Sequence, residues 1–302
     1  MEAGTALPTL GRPSVIPLLP GDPAGQPPGI DHVARWRTLV RAREEQGRRL
    51  DPLHGRPDPW GDNRAARFRH LVSEAGPDAL FALIRPFLRP DLTVLDVGAG
   101  VGRHVIPIAP LVRKVIAVEP SAAMRRELQD MIRASGLANV EVIAAAWPDA
   151  DVTAADLVIC SHVVYVVAEI EPFLRRLAAV CRGRCYVTCR WTQREAPILP
   201  LFEEVWGESR CPEPTFADLL GVADQLGLRG QVTTIPFGAG RGFESFEAAV
   251  AAIKADLLNP PGAAADARIR EYLAGHLRLR EGRWVLEAPP MFAGVLWWEA
   301  GR

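Results

Sequence analysis

Apolar runs alternate with amphipathic segments through the middle of the chain, between residues 93 and 190. The runs predict strands over 93–97, 114–118, 140–144, 156–160 and 184–190. The segments between them carry apolar residues at helical spacing and predict helices over about 102–110, 121–135 and 170–181. Strands that alternate with helices favour a parallel sheet covered on both faces, with its loops gathered at one edge.

Helical patterns flank this alternation on both sides. They predict helices over 30–46, 63–75 and 77–88 before it, and over 199–207, 215–227, 244–258 and 263–278 after it. Two more strands are predicted over 230–236 and 293–299. The chain is therefore expected to have a flexible Pro/Gly-rich arm over 1–29, a helical cap over 30–90 and a main domain over 91–302, with a helical insertion at about 244–280.

The first strand of the alternation runs into a glycine-rich turn. Asp96 is followed by Gly98, Gly100 and Gly102, a G-x-G-x-G pattern. Such a turn lets backbone amides approach a ligand that a Cβ would hold off. The dinucleotide pattern G-x-G-x-x-G is absent because Arg103 stands at its last position, and no Gly-Lys-Ser/Thr follows. A carboxylate beside the turn favours a cationic ligand over a diphosphate.

A second acid, Glu119, follows the next predicted strand. In open α/β sheets a carboxylate at this place accepts hydrogen bonds from ribose hydroxyls. With the glycine turn, this block resembles motif I of the class I S-adenosylmethionine-dependent methyltransferases. The resemblance implies a Rossmann-like three-layer sandwich, with helices on both faces of a mostly parallel seven-stranded sheet in the order 3-2-1-4-5-7-6. It also implies S-adenosyl-L-methionine as cofactor and S-adenosyl-L-homocysteine as product.

The resemblance assigns cofactor contacts residue by residue. The methionine end would be held at Asp96, Gly98, Ala99, Gly100 and Gly102, the ribose at Glu119 with Pro120, and the adenine at Ala146 and Trp147, with Ser161 nearby. The chain departs from the family at Ala146, where many relatives place an aspartate that accepts the adenine amino group. Backbone groups and the Trp147 ring are the alternatives, unless that ring packs in the core or in a lid.

Ser161 and His162 end the fourth predicted strand, where the transferred methyl group should point. His162 could act as a general base, because its ordinary pKa lies near neutrality. It could equally pack beside the cofactor and donate a hydrogen bond. Four further residues are predicted to line the acceptor pocket or its lid: Tyr165, Arg190, Trp60 and Arg67. Aromatic residues at helical spacing usually pack a core, so a core role for Trp60 stays open.

Composition narrows the class of protein. The net charge is −1 over 302 residues and no long basic tract occurs, which argues against a nucleic-acid partner. No apolar run is long enough to span a membrane and no secretory signal is recognisable, so we expect a cytoplasmic protein. Five cysteines without a C-x-x-C pair predict free thiols and no metal site.

The function predicted from the sequence is methyl transfer from S-adenosyl-L-methionine to a small-molecule acceptor. A methyltransferase of the same fold that acts on RNA or protein is one alternative, and a non-catalytic cofactor-binding scaffold is another. A nicotinamide oxidoreductase is disfavoured by the missing third glycine. The sequence leaves the oligomeric state open, a homodimer included.

Overall fold

The computed structural model describes residues 16–17, 29–51, 61, 65–66, 68–69, 78–152, 154–193, 195–238 and 241–301. Its helices are α1 His32–Leu50, α2 Ala79–Ile84, α3 Val105–Ile108, α4 Ala122–Ala134, α5 Ile170–Val180, α6 Leu199–Trp206, α7 Phe216–Gln225, α8 Phe246–Asp256 and α9 Ala263–His276. Its strands are β1 Ile16–Pro17, β2 Thr93–Val97, β3 Lys114–Val118, β4 Val140–Ile143, β5 Ala155–Ser161, β6 Cys181–Arg190, β7 Gln231–Gly238, β8 Arg241–Phe243, β9 Leu277–Arg280, β10 Arg283–Leu286 and β11 Met291–Glu299.

The main sheet has the order β1-β7-β11-β6-β5-β2-β3-β4. Strands β2 to β6 pair in parallel, whereas β11 is antiparallel to both β6 and β7. Without β1, this is the seven-strand order implied by the sequence, so the predicted Rossmann-like fold is confirmed. The short strand β1 lies within the segment predicted as a flexible arm and pairs antiparallel with the outer edge of β7.

Apolar clusters cover both faces of this sheet. One face packs against α1, α5 and α7, with Trp36, Phe173 and Phe216 fully or almost fully buried. The other packs against α2, α3 and part of α4, with Leu80 and Ile108 buried. Because β2 is buried along its whole length, its sequence is a continuous apolar run broken only by Asp96.

Helix α1, predicted as part of the cap, belongs to the first of these layers. Val33, Trp36 and Val40 lie on one face of the helix and are buried. Asp31 caps its N-terminus by accepting from the backbone N–H of Ala34 at 3.0 Å. The Trp36 indole N–H donates to the Val167 carbonyl at 2.8 Å, which fixes α1 against the turn after β5.

The segment before β11 contains more than the predicted helices. A third apolar cluster joins α6, α8 and α9 with residues of a separate antiparallel sheet in the order β8-β10-β9. These three strands were not predicted from the sequence, and the helix predicted over 263–278 is wrong at 277–278, where β9 begins. Glu281 and Gly282 form the β9–β10 turn with φ of 48° and 77°, the left-handed pair that two-residue hairpins require.

Among the described residues no helix is long and apolar enough to cross a membrane.

Candidate active site

The glycine turn after β2 has three glycines with positive φ, namely Gly98 at 72°, Gly100 at 56° and Gly102 at 98°. A Cβ added at Gly98 would come within 2.4 Å of the Val163 side chain, and one at Gly102 within 2.7 Å of Leu128. A Cβ at Gly100 would meet nothing within 4 Å. Gly98 and Gly102 are therefore required by packing, whereas Gly100 leaves open space in which a ligand can reach the backbone.

Glu119 directly follows β3 and accepts hydrogen bonds from backbone N–H groups at this turn and after β3. One carboxylate oxygen accepts from the backbone N–H of Gly100 at 2.8 Å, and the other accepts from that of Ser121 at 2.8 Å. The side chain is almost completely buried. The predicted ribose-binding acid therefore lies directly beside the open position of the turn, in the crevice between the ends of β2 and β3.

Asp96 in β2 is buried with a carboxylate oxygen, Oδ2, that has no hydrogen-bond partner in the part of the chain that the structure describes. Burial raises the pKa of this carboxyl to about 6, and the negative charges of Glu119 and Asp78 also raise it, whereas His104 opposes the rise. A buried carboxylate without a partner is costly in a folded protein and needs an explanation. A cationic ligand group bound next to it would supply the missing partner.

Asp78 is an acid of this site that sequence reasoning missed. Its Oδ1 accepts from the backbone N–H of Phe81 at 2.9 Å and so caps α2, while Oδ2 lies 3.3 Å from both His104 Nε2 and Arg103 Nε. Although burial opposes the effect, the hydrogen bond and charge of His104 keep the pKa of Asp78 well below its usual range. The signal available in the sequence was an acid directly before an apolar helical run.

The segment after β4 contains the predicted adenine contacts. Ala146 is exposed at the edge of the sheet where the glycine turn lies. Trp147 is instead buried in the first apolar cluster, and its indole N–H donates to the Phe173 carbonyl at 3.1 Å. Ala146 is thus exposed, but its backbone carbonyl already accepts from the N–H groups of Asp149 and Ala150, each at 3.1 Å. The Trp147 ring lies in the core beneath it.

Ser161 ends β5 and His162 follows it, and both lie close to the glycine turn, since Val163 is the residue that limits the space at Gly98. The His162 backbone is left-handed, with φ of 58°, and its N–H donates to the Thr188 carbonyl at 3.1 Å. Its ring lies 4.2 Å from that of Phe237 between centroids. Burial, together with nearby Arg190, holds the pKa of His162 well below its usual value, so the ring is neutral at pH 7.

Tyr165 and Arg190 form the second layer behind His162. The Tyr165 hydroxyl lies 2.8 Å from His162 Nδ1 and accepts from the backbone N–H of Arg190 at 2.7 Å. The Arg190 guanidinium stacks 4.0 Å above the Tyr165 ring, and its Nη2 donates to Glu213 at 2.7 Å. Glu213 was not predicted from the sequence, because nothing in its local pattern indicates that it pairs with a strand end.

A narrow cleft lies between the N-terminus of α2, the glycine turn and the ends of β5, β6 and β7. Arg103, Ser161, His162 and Thr188 contribute polar groups to it, and Phe237 contributes an apolar wall. The Thr188 side chain is completely buried, and its hydroxyl has no partner among residues the structure describes. The predicted residues Trp60 and Arg67 lie outside the described residues.

All five cysteines are free thiols. In the described ranges no group of three His, Cys, Asp or Glu side chains is arranged to hold a metal ion.

Comparison with known proteins bears on the segment that builds this site. Residues 94–183 match the family described as a methyltransferase domain. A protein of Haemophilus influenzae without an assigned function is 28% identical over 205 residues, which cover 67% of this chain and 75% of that protein.

Solved structures align with much of the chain. A protein of Bacillus halodurans described as a candidate methyltransferase has a TM-score of 0.50 and 16% identity, over 74% of this chain and 99% of its own. The YcgJ protein of Bacillus subtilis has a TM-score of 0.46 and 16% identity, over 72% and 97% of the two chains. Residues 94–183 thus match a methyltransferase domain, and they lie in a Rossmann-like α/β fold.

Proposed function

We propose that this protein transfers the methyl group of S-adenosyl-L-methionine to a small-molecule acceptor. The observation that carries the proposal is the pair of acids at the β2 and β3 ends. The buried Oδ2 of Asp96 has no partner among the described residues, and Glu119 accepts from the backbone N–H of Gly100. The two acids thus lie at the ends of adjacent strands within a segment that matches a methyltransferase domain. A ligand with an ammonium group and a ribose matches this donor and acceptor set.

Different residues of the crevice would contact different parts of the cofactor. Asp96 and the glycine turn would hold the methionine end, with Ala99 beside Gly98 and Gly100, while Glu119 and Pro120 would hold the ribose. Each Glu119 oxygen accepts one backbone hydrogen bond, and carboxylate oxygens are the acceptors that ribose hydroxyls require. The cofactor, when bound, supplies a methyl group on a sulfonium that is activated toward nucleophiles.

The adenine would lie against the backbone around Ala146, supported by Trp147. Ser161 and His162 would face the acceptor in the neighbouring cleft, and Tyr165 and Arg190 would hold His162 in place. The small size of the cleft and the near-neutral net charge of −1 favour a small molecule over RNA as the acceptor. Trp60 and Arg67 remain candidates for a lid.

Calorimetric titration with S-adenosylmethionine, S-adenosylhomocysteine and NADH tests the proposal. We expect both sulfur nucleosides to bind and NADH not to bind. Asp96→Asn should weaken binding of S-adenosylmethionine about tenfold or more, roughly 1.4 kcal/mol, because it removes the negative charge that faces the ligand. Asp91→Asn is the matched control, since Asp91 is an exposed acid just before β2.

Unchanged affinity in Asp96→Asn would argue against the assigned orientation of the ligand. Tight binding of NADH with no binding of S-adenosylmethionine would overturn the proposal as a whole. A protein that binds the cofactor but methylates no acceptor in a broad metabolite screen would instead favour the non-catalytic scaffold.

A further inference from the structure

We infer that His162 acts on the acceptor as a hydrogen-bond donor through Nε2, not as a general base, and that the acceptor group is an oxygen anion such as a carboxylate. The acceptor class rests on the proposed function. The protonation of His162 does not, because it follows from contacts within the protein alone.

The hydrogen bonds of Tyr165 determine which ring nitrogen of His162 carries the proton. The Tyr165 oxygen already accepts from the Arg190 backbone N–H at 2.7 Å, and His162 Nδ1 lies 2.8 Å from the same oxygen. The phenolic O–H therefore donates to Nδ1, and the single proton of a neutral imidazole is on Nε2.

In the opposite tautomer the Tyr165 oxygen would accept two hydrogen bonds. Its own proton would then have to go to the Cys189 thiol, which is the other neighbouring group and a weak acceptor. The arrangement with Tyr165 as donor to His162 uses the stronger acceptor and leaves no group unsatisfied.

The charges around the ring keep it neutral. Arg190 approaches from β6, while Arg103 and His104 approach from the glycine turn, and all three disfavour a second proton on His162. Asp78, at the N-terminus of α2, is the acid that favours protonation, but its carboxylate is already engaged by Arg103 and His104. A neutral ring with Nδ1 occupied has no lone pair left to accept a proton from a substrate.

The edge of the ring opposite Tyr165 therefore presents an N–H group to the cleft. Ser161 and Thr188 add hydroxyl groups there, and Arg103 adds a positive charge. Asp78 is the acid among the described residues that line the cleft, and its carboxylate already contacts the backbone N–H of Phe81 and the side chains of Arg103 and His104. The described part of this lining binds negative oxygen and offers no base, which favours an acceptor that is already ionised when it binds.

A carboxylate satisfies this requirement without proton transfer. One carboxylate oxygen forms a bond to the methyl carbon as the carbon–sulfur bond breaks, and its negative charge cancels the positive charge of the sulfonium. The products are a methyl ester and the neutral thioether, and no proton is released. Donors on the carboxylate orient the nucleophilic oxygen toward the methyl group.

Nuclear magnetic resonance of the free protein tests the tautomer. The full chain labelled with ¹⁵N-histidine has six histidines, and the signals of His162 are identified by their loss in His162→Gln. Two-bond ¹H–¹⁵N correlations at pH 7 should show the Nε2–H form for His162, and Tyr165→Phe should convert it to a mixture. A proton on Nδ1 in the unaltered protein overturns the inference, whether or not the protein binds S-adenosylmethionine.

The same labelled protein, saturated with S-adenosylhomocysteine, tests the acceptor class. Acetate, benzoate and phenylacetate serve as carboxylate probes of increasing size, and phenethylamine and phenylacetamide serve as cationic and neutral controls. We expect at least one carboxylate to shift the His162 Nε2 signal, with no shift from either control. A shift from the amine, or from none of the carboxylates, overturns the carboxylate assignment.

Two substitutions separate donation from base catalysis in turnover with radiolabelled methyl donor. The amide nitrogen of Gln can replace Nε2 as a donor but cannot act as a base at neutral pH. We expect His162→Gln to retain activity within about tenfold and His162→Ala to lose about a hundredfold or more. If both variants lost activity equally while calorimetry showed unchanged cofactor affinity, the result would support His162 as a general base instead. If the unaltered protein did not bind the cofactor, the proposed function would be wrong, whereas the tautomer result would still hold.

Discussion

Asp96 has opposite effects on folding and on ligand binding. Its pKa rises from 3.8 to about 6 in the folded protein, so the folded state binds this proton more tightly than the unfolded chain does. The contribution of Asp96 to stability is therefore most favourable below pH 4 and is lost as the pH rises toward 6. At neutral pH the ionised, buried carboxylate destabilises the free protein, and a bound cation would relieve that cost.

Replacing Asp96 with Asn should therefore stabilise the free protein at pH 7 while it weakens cofactor binding. A shift of roughly two pKa units corresponds to about 3 kcal/mol as an upper bound, and we expect a gain of about 1–3 kcal/mol. Urea unfolding at pH 7 and at pH 4 measures it, and the gain should shrink at the lower pH. A variant that is less stable at pH 7, or equally changed at both values, would contradict this account.

The affinity of the unaltered protein for S-adenosylmethionine should fall as the pH drops below about 6. The reason is that Asp96 must give up its proton to pair with a ligand cation, and its pKa in the free protein is about 6. Calorimetry between pH 5 and 8 checks this, with Asp96→Asn as the matched control. The dependence on pH in this range should be much weaker in that variant, and an equal dependence in both proteins would remove Asp96 as its source.

Some residues of the site could be assigned from sequence and others could not, for a physical reason. The glycines and Glu119 occupy positions fixed by the ends of two parallel strands, so their spacing alone predicts their place. Trp147 could not be assigned, because a ring after a strand end can face either the crevice or the core. The His162–Tyr165–Arg190 contact depends on a left-handed residue and on the end of another strand, which local spacing does not indicate.

In the glycine turn, one glycine is required for packing and another for access of a ligand. Gly98 and Gly100 both have positive φ, but only Gly98 has a neighbour, Val163, where a Cβ would stand. Gly98→Ala should therefore lose about 2–4 kcal/mol of stability from backbone strain and overpacking combined. Gly100→Ala should lose about 1–2 kcal/mol from strain alone.

Cofactor binding should be weakened more in Gly100→Ala than in Gly98→Ala, which is the reverse of the order expected for stability. The methyl group of Gly100→Ala occupies the space that a ligand needs, so cofactor binding should disappear in a protein that is still folded. Urea unfolding and calorimetry on both variants provide the test. Unchanged affinity in Gly100→Ala would place the ligand elsewhere along the crevice.

The elements themselves differ in how far the sequence determined them. Buried parallel strands such as β2 are mostly apolar, and helices such as α1 have a clear apolar face, so both were predicted close to their observed bounds. Strand β9 alternates leucine with arginine, strand β10 has one arginine followed by three apolar residues, and both are only four residues long. Their pairing through a left-handed turn stabilises them. They were not predicted because the helical sequence pattern directly before β9 was extended into that strand.

The molecule contains two regions with separate hydrophobic cores. The sheet is covered by its own two apolar clusters, and the segment before β11 packs around a third, which includes Phe202, Ile253 and Leu273. Described contacts join that segment to α1. They include the Arg49–Glu208 ion pair and the hydrogen bonds of Gln46 to Ser209 and Cys211. Separate cores predict that the third cluster can loosen without disturbing the cofactor crevice.

Leu273→Ala tests this independence. Leu273 is completely buried in α9, so the substitution should cost about 2–5 kcal/mol locally. Hydrogen exchange should quicken in α8, α9 and the small sheet, while exchange in β2 and β5 and the affinity for S-adenosylmethionine change less than twofold. Leu177→Ala is the matched control, because Leu177 is equally buried in α5 against the main sheet and its loss should quicken exchange at the site itself. If Leu273→Ala weakened the cofactor as much as Leu177→Ala did, the inserted segment would be part of the binding unit, and its helices would then be the first place to look for residues that select the acceptor.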